Sequence, residues 1–330
     1  YRGVASGPIG RAVRAFPFLL IAAASPAVAQ EASEPEVVVI GRGLPDRPGE
    51  RAASTIVLSR AEIAADASGR LESVLAEAAG VQQFRRSDSR SANPTSQGLS
   101  LRGIGSNASG RVLLVLDGVP QADPFGGWVP FPAYATDRIG RVRITRGGGS
   151  GYWGPGALTG TIELESAGPG QRAPAELAIA YGSGDAVDAR GAATLVRAGG
   201  FASLSAAYAR GNGFVPIVAA DRGSVDGRAP YRQWSAALRT VVELAPATEL
   251  QANLSAFDDR RSRGTAFTAN RSQGADASVR IVGRGRWGWA LLGYVQTRAF
   301  ASQFAAIDAA RTSATLTLDQ YNVPATGIGG

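Results

Sequence analysis

"ELQANLSAF", residues 249–257, is the stretch on which the fold turns. Successive residues of a strand point to opposite faces. Leu250, Ala252, Leu254 and Ala256 therefore share one side, and Gln251, Asn253 and Ser255 share the other. Similar alternation recurs near 175–183, 188–197, 200–210, 231–243, 276–283, 286–298 and 312–319. That makes about eight strands, each near the roughly 9–11 residues a membrane strand needs. The connections alternate as well. "AGG" (198–200), "APA" (245–247) and "GRG" (283–285) are short turns, while 211–230, 262–275 and 299–311 read as longer polar loops. Among the connections at the long-loop end, only the first, "GSGDAV", is short. Short turns at one end and long loops at the other suit an outer-membrane barrel. A soluble β-sandwich alternates too, but has no need of that rhythm or of a small, weakly apolar outer face. Trp234, Trp287, Trp289 and Tyr294 are candidates for the aromatic belts.

Upstream, "RAVRAFPFLLIAAASPAVA" (11–29) has two arginines, a short apolar core and an Ala-Val-Ala end. This is the pattern of a secretory signal peptide, with cleavage expected after Ala29. No later stretch reaches the roughly 20 apolar residues of a spanning helix, so entry into a membrane would be by strands. The chain begins at Tyr1 rather than Met and stops at "YNVPATGIGG", and reads as a piece of a longer frame.

Composition narrows the chemistry. The 330 residues are 45% hydrophobic and 18% charged, with 43 glycines and no Cys, His or Met. All 34 basic residues are Arg. Thiolate and imidazole sites are absent, so a catalytic reading would rest on carboxylates, Ser or Tyr alone. The net charge of +7 is scattered and forms no basic block with interleaved aromatics, so nucleic acid is not expected as a partner. No cofactor or metal is expected, and the chain does not read as an enzyme.

Residues 30–53 are rich in Glu, Pro, Gly and Arg around one β-branched run, "EVVVIG" (36–41). Residues 54–168 read as a mixed α/β unit. "STIVLS" (54–59) is a strand, and Ser59 with Glu62 forms a capping box for a short helix. Ser68 is expected to cap a second helix with Leu71, Val74, Leu75 and Ala78 on one face, and Gly80 to end it. "VQQF", "LSLRGI" (99–104), "RVLLVLDGVP" (111–120), "RIGRVRITRG" (138–147) and "TIELES" (161–166) are further extended runs. Between them lie a polar loop, 85–98, and an aromatic, Pro-rich loop, 121–132. The glycine-rich stretch 147–160 is no Walker motif, since no Gly-Lys-Ser/Thr follows, and it opens no periodic helix. Its glycines are expected to permit positive-φ turns and a close approach to the barrel wall.

In order and spacing, these segments resemble the tail and plug of TonB-dependent outer-membrane receptors. "EVVVIG" looks like a TonB box, "ESVLAEAAGV" like the helix before the first plug loop, and "LSLRGIG" like the Leu-Arg-Gly strand. "VLLVLDGVP" resembles the Leu-Asp-Gly-Val-Pro strand and turn, and "IGRVRITRGGGSGYWGPGALTGTIEL" the closing motif. The sequence departs from the family where many members have Pro and this chain has Gly148. The resemblance implies a mixed α/β plug domain followed by antiparallel transmembrane β-barrel strands, divided as 1–29 signal peptide, 30–53 periplasmic tail, 54–168 plug and 174–330 barrel. About eight strands make an incomplete barrel next to the 22-stranded class, for which about 300–400 more residues would be expected.

The resemblance also implies a function: active import of a scarce nutrient across the outer membrane of a Gram-negative bacterium, energised by TonB. A ferric siderophore, cobalamin and an oligosaccharide are all compatible with these motifs. Glu36, Val37, Val38, Val39 and Ile40 would pair with TonB as an added strand. Arg102 and Arg146 would pair with barrel carboxylates and hold the plug. Arg85, Arg86 and Arg90 of the first loop, with Asp123, Phe125, Trp128 and Phe131 of the second, are the candidate ligand contacts. A passive channel, an outer-membrane enzyme and an exported soluble binding protein are the competing readings.

Overall fold

The computed structural model describes residues 41–44, 54–84, 87–101, 103, 112–147 and 150–330. The expected signal peptide, Glu36 to Ile40, Arg85, Arg86 and Arg102 lie outside these residues.

The first part of the chain builds a small mixed unit. Strand β1 (Ser54–Leu58) leads through the capping box of Ser59 and Glu62 into helix α1 (Arg60–Ala65). Helix α2 (Leu71–Glu77) follows and buries Leu71, Val74 and Leu75. Ser68 does not cap α2. Its hydroxyl and amide both go to the Asp66 carboxylate, which turns the chain locally, and the cap position falls to Arg70 without a side-chain bond. Next come β2 (Val81–Gln83), β3 (Leu99–Leu101), β4 (Val112–Leu116) and β5 (Val119–Pro120). The unit ends with β6 (Ile139–Arg146), the one-turn helix α3 (Ser150–Trp153) and β7 (Gly160–Ser166).

Five of these strands form a sheet in the order β1-β6-β7-β4-β5, in which β4 and β7 run parallel. β2 pairs with β3 separately. The helices close one side of the sheet, and the core gathers Ile63, Leu71, Leu75, Leu114, Ile144 and Ile162, all at most 1% exposed. β4 reads "VLLVL" and is buried along its whole length, as a strand covered on both faces must be.

After residue 174 the chain becomes a single antiparallel sheet. Its strands are β8 (Ala175–Gly182), β9 (Ala186–Arg197), β10 (Gly200–Gly211), β11 (Tyr231–Ala245), β12 (Thr248–Arg261), β13 (Asn270–Arg284), β14 (Gly288–Ile307) and β15 (Ala314–Gly329). They pair in simple sequence order, with β8 and β15 at the edges, so the barrel is not closed. β14 runs on to Ile307 where a loop was expected from 299. Phe300 and Ser302 face inward and are buried, and the strand keeps pairing with β13 and β15. No helix among the described residues is long and apolar enough to cross a membrane.

Burial in this sheet is inverted relative to a soluble protein. On β12, Gln251 is fully buried while Leu254 is 55% exposed. The same holds along the neighbouring strands. Ser203, Gln233, Arg239, Gln296 and Arg298 are buried, while Leu177, Leu204, Leu238 and Leu291 stand exposed. A soluble sandwich buries its apolar face; here the apolar face is the outer one. Phe257, the apolar residue at the end of the decisive stretch, lies on the polar side and joins the core of the first unit.

Candidate functional site

The polar face of the sheet grips the first unit at named points, most of them from wall side chains to plug-side backbone or carboxylates. One buried grip is centred on Asp117, in the turn between β4 and β5. Asp117 has φ +49, a left-handed conformation that short polar residues tolerate. Its carboxylate accepts from the Ser166 amide at 3.0 Å and the Ser166 hydroxyl at 2.5 Å. Arg239 of β11 donates Nη1 to the same carboxylate at 2.6 Å, and both side chains are under 10% exposed. Burial works to raise the Asp117 carboxyl, but Arg239, Arg280 and the Ser166 bonds together hold it below its ordinary range.

Arg239 has a second task. Its other terminal nitrogen donates to the carbonyl of Gly41. The next carbonyl, of Arg42, accepts from Gln251 of β12 at 3.0 Å and from Arg284 of β13. Arg284 is in turn paired with the buried Glu249 at 2.9 Å. Gly41 has φ +63, and a Cβ there would lie 2.8 Å from the Arg239 guanidinium and 2.9 Å from Val241. A glycine is required because the backbone presses directly onto the wall. One guanidinium thus joins three parts of the chain: the segment just after residues 36–40, the β4–β5 turn, and the wall.

A second grip holds the first polar loop. Arg261 of β12 is 3% exposed, donating to the Ala92 carbonyl at 2.7 Å and the Gln97 side chain at 2.8 Å, and is neutralised by Asp259. Gln233 of β11 donates to the Ser89 carbonyl at 2.5 Å. The Ser89 amide donates to Glu72, whose carboxyl is raised by burial although these bonds and Arg261 oppose the shift. A third grip lies at the first strands of the wall. There Arg190 reaches Asp137 at 3.3 Å, and Arg60 reaches Glu176 at 3.6 Å.

The expected site residues fall in different places. Arg90 pairs with Asp188 of β9 and lies over the Tyr231 ring at 5.1 Å. Asp123 is buried and organises its own loop, accepting from the amides of Phe125 and Gly126; burial, against those bonds, raises its carboxyl. Phe125 stands 55% exposed, edge-on to Trp128. Trp128, expected to point outward, is instead 4% exposed and packs on Phe300 of β14 at 5.1 Å between ring centres. Phe131 is likewise turned inward, 3% exposed within the core. Of the three rings, only Phe125 is presented to solvent. The described partners of Arg146 are Ser54 and the Ala79 carbonyl, both within the first unit rather than on the wall. The ion pairs across to the wall run both ways: Arg60 and Arg90 of the first unit reach Glu176 and Asp188, while Arg190 and Arg239 of the wall reach Asp137 and Asp117. The glycine stretch also differs. Gly147, Gly154 and Gly160 do have positive φ, but Gly160 approaches the Thr145 carbonyl of β6, not the wall.

Sequence reasoning missed Arg239, Gln251 and Arg261. The available signal was their parity: each is a large polar residue on the face opposite the leucines of its strand.

The Asp117 carboxyl is held low in the folded state, so its contribution is present above the ordinary carboxylate range and is lost as pH falls through its lowered value. Protease resistance of the first unit is expected to hold down to about pH 4 and to fall on acidification from about pH 4 to about pH 2, and Asp117→Asn should blunt that fall. An unchanged profile in the variant would show that Asp117 does not set it.

Residues 48–161 match the family model described as TonB-dependent Receptor Plug Domain. No curated protein matches the chain by sequence. Solved structures do match in fold. The siderophore receptor PirA of Acinetobacter baumannii aligns with a TM-score of 0.58 at 12% identity, over 83% of this chain and 43% of that one. The ferric yersiniabactin uptake receptor FyuA of Yersinia pestis aligns at 0.58 and 18% identity, over 76% and 42%. The copper transporter OprC aligns at 0.56 and 16% identity, over 77% and 39%. The chain thus spans less than half the length of each.

Proposed function

Residues 48–161 are a TonB-dependent receptor plug domain, and on that premise we propose that the chain belongs to an outer-membrane receptor that imports a scarce nutrient under TonB power. The observation that carries this reading is the inverted sheet: a polar face turned to the plug and an apolar face turned outward. Lipid demands such a wall, and a polar lining suits a lumen that must fill and empty. The nutrient class proposed is a ferric siderophore, cobalamin or a similar chelate. PirA and FyuA are receptors for siderophores and OprC carries copper, a range that leaves several ligands open. Phe125, with Arg85 and Arg86 of the neighbouring loop, is proposed to meet the ligand.

The tail supplies the energy coupling in this reading. Glu36 to Ile40 is proposed to add as a strand to an open edge of TonB, a mode that rests on backbone hydrogen bonds. Tension there passes first to Gly41 and Arg42, whose carbonyls are held by Arg239, Gln251 and Arg284. A hydrogen bond to a charged group contributes about 1.5–3 kcal/mol, so a pull can release these in turn. Since Arg239 also holds Asp117, loosening the tail disturbs the β4–β5 turn at the same residue.

The test is deletion of Glu36–Ile40 in the full-length protein. Uptake is expected to fall to the level of a strain lacking TonB, with outer-membrane insertion unchanged. Uptake that persists favours a passive channel. Recovery of the mature protein in the periplasmic fraction favours a soluble binding protein.

A further inference from the structure

The outer face of the wall is layered. Leu204, Leu238 and Leu254 stand in one cross-strand row on β10, β11 and β12. Two rows toward the long-loop end, Tyr208 sits opposite Trp234. One row further, Arg210 pairs with Arg232, Arg232 with Arg260, and Arg260 with Arg271. Four arginines thus stand side by side on four adjacent strands. Their flanking residues Tyr231, Arg261 and Asn270 are all buried, and side chains alternate, so the row faces outward.

Depth and charge select the occupant. From position 234 to position 244 the outer face descends ten residues, or about 25 Å at the usual strand tilt, the height of the apolar band of a membrane barrel. Trp234 stands at the upper limit of that band, where aromatic belts lie. The arginine row is therefore at headgroup height. Asp258 sits beneath it, accepting from Arg260 at 2.8 Å and Arg271 at 2.6 Å, and fixes those two guanidiniums. Arg210 and Arg232 make no ion pair among the described residues. A groove of ≈ 550 Å³ opens beside the row, lined by Arg232, Arg260, Arg271, Gln303, Asp319 and Tyr321. Asp319 opposes an anion there, but accepts from Gln303 at 3.2 Å, and the guanidiniums outnumber the acids.

We propose that this row is a binding site for the phosphate groups of an anionic glycolipid of the outer leaflet, of the lipid A class. Guanidinium is suited to phosphate because it offers two parallel donors. The groove gives the sugar and first acyl carbons a place beside the phosphates. The inference rests on the reading of the sheet as a membrane wall.

The test uses the full-length protein purified from outer membranes in mild detergent and incubated with lipid A bearing both phosphates. Bound lipid is counted by native mass spectrometry. The variant R232Q/R260Q/R271Q is expected to retain about tenfold less lipid, while R232K/R260K/R271K stays within about twofold of the parent. Doubly dephosphorylated lipid should not be retained. Equal retention by the glutamine variant, equal retention of dephosphorylated lipid, or displacement by inorganic phosphate at matched concentration overturns the proposal. Membrane fractionation separates the two readings. Protein found in the outer membrane that binds no lipid A defeats this inference alone, whereas protein absent from that fraction defeats the membrane wall itself.

Discussion

Replacing Arg239 with Ala is expected to weaken the docking of the plug by about 3–5 kcal/mol, the usual cost of stranding one partner of a buried ion pair. Asp117 would remain buried beside Ser166, with its strongest counter-charge gone. The Gly41 carbonyl would lose its donor in the same step. The double variant D117N/R239M should recover most of the loss, because a neutral pair of similar volume leaves no buried charge unpaired. The chain has no cysteine, so one introduced at Ala133 gives a clean probe of plug exposure by thiol labelling in urea. Equal protection in parent and R239A would show that the pair does not hold the plug. In uptake assays the same variant should separate ligand binding, which is retained, from energised transport, which is impaired.

The second large effect is expected at Gly160. Its φ is +143, which side-chain-bearing residues scarcely adopt, and a Cβ would lie 2.0 Å from the Thr145 carbonyl and 2.7 Å from Leu101. Gly160 pairs with Arg146 on one side and Val112 on the other, so neither neighbouring strand can give way without opening the plug sheet. Gly160→Ala should therefore cost more than backbone strain alone, which is about 1–3 kcal/mol. Gly154→Ala is the matched control. It too has positive φ, at +81, but a Cβ there meets nothing within 4 Å. Thiol labelling of the same Ala133 probe should rise sharply for the first variant and modestly for the second. Equal effects would mean that conformation alone, and not the close approach, makes Gly160 necessary.

Much of the architecture was legible because it depends on short-range patterns. The alternation in "ELQANLSAF" marks a strand and names its faces, and the capping box of Ser59 and Glu62 marks where α1 begins. The Leu-Asp-Gly-Val-Pro turn was legible as a motif, yet the task of Asp117 within it was not. Strand ends were less legible, as β14 shows. Whether "AFASQFAAI" is strand or loop depends on partners supplied by β13 and β15.

What the sequence determined by itself is local: which residues extend, which face of each strand is polar, and the order of plug and wall. The tertiary structure decided which polar residues meet. Arg239 and Arg146 are each an arginine on a strand, but Arg239 lies on the plug-facing side of the wall, while Arg146 ends β6 beside Ala79. Asp117 and Arg239 are 122 residues apart, and Gly41 and Arg239 are 198 apart. Trp128 is covered from the wall by Phe300, 172 positions along the chain. Periodicity carries the direction of a side chain but not the identity of what stands opposite. That identity comes from docking the plug against the wall, a long-range packing event that no local pattern encodes.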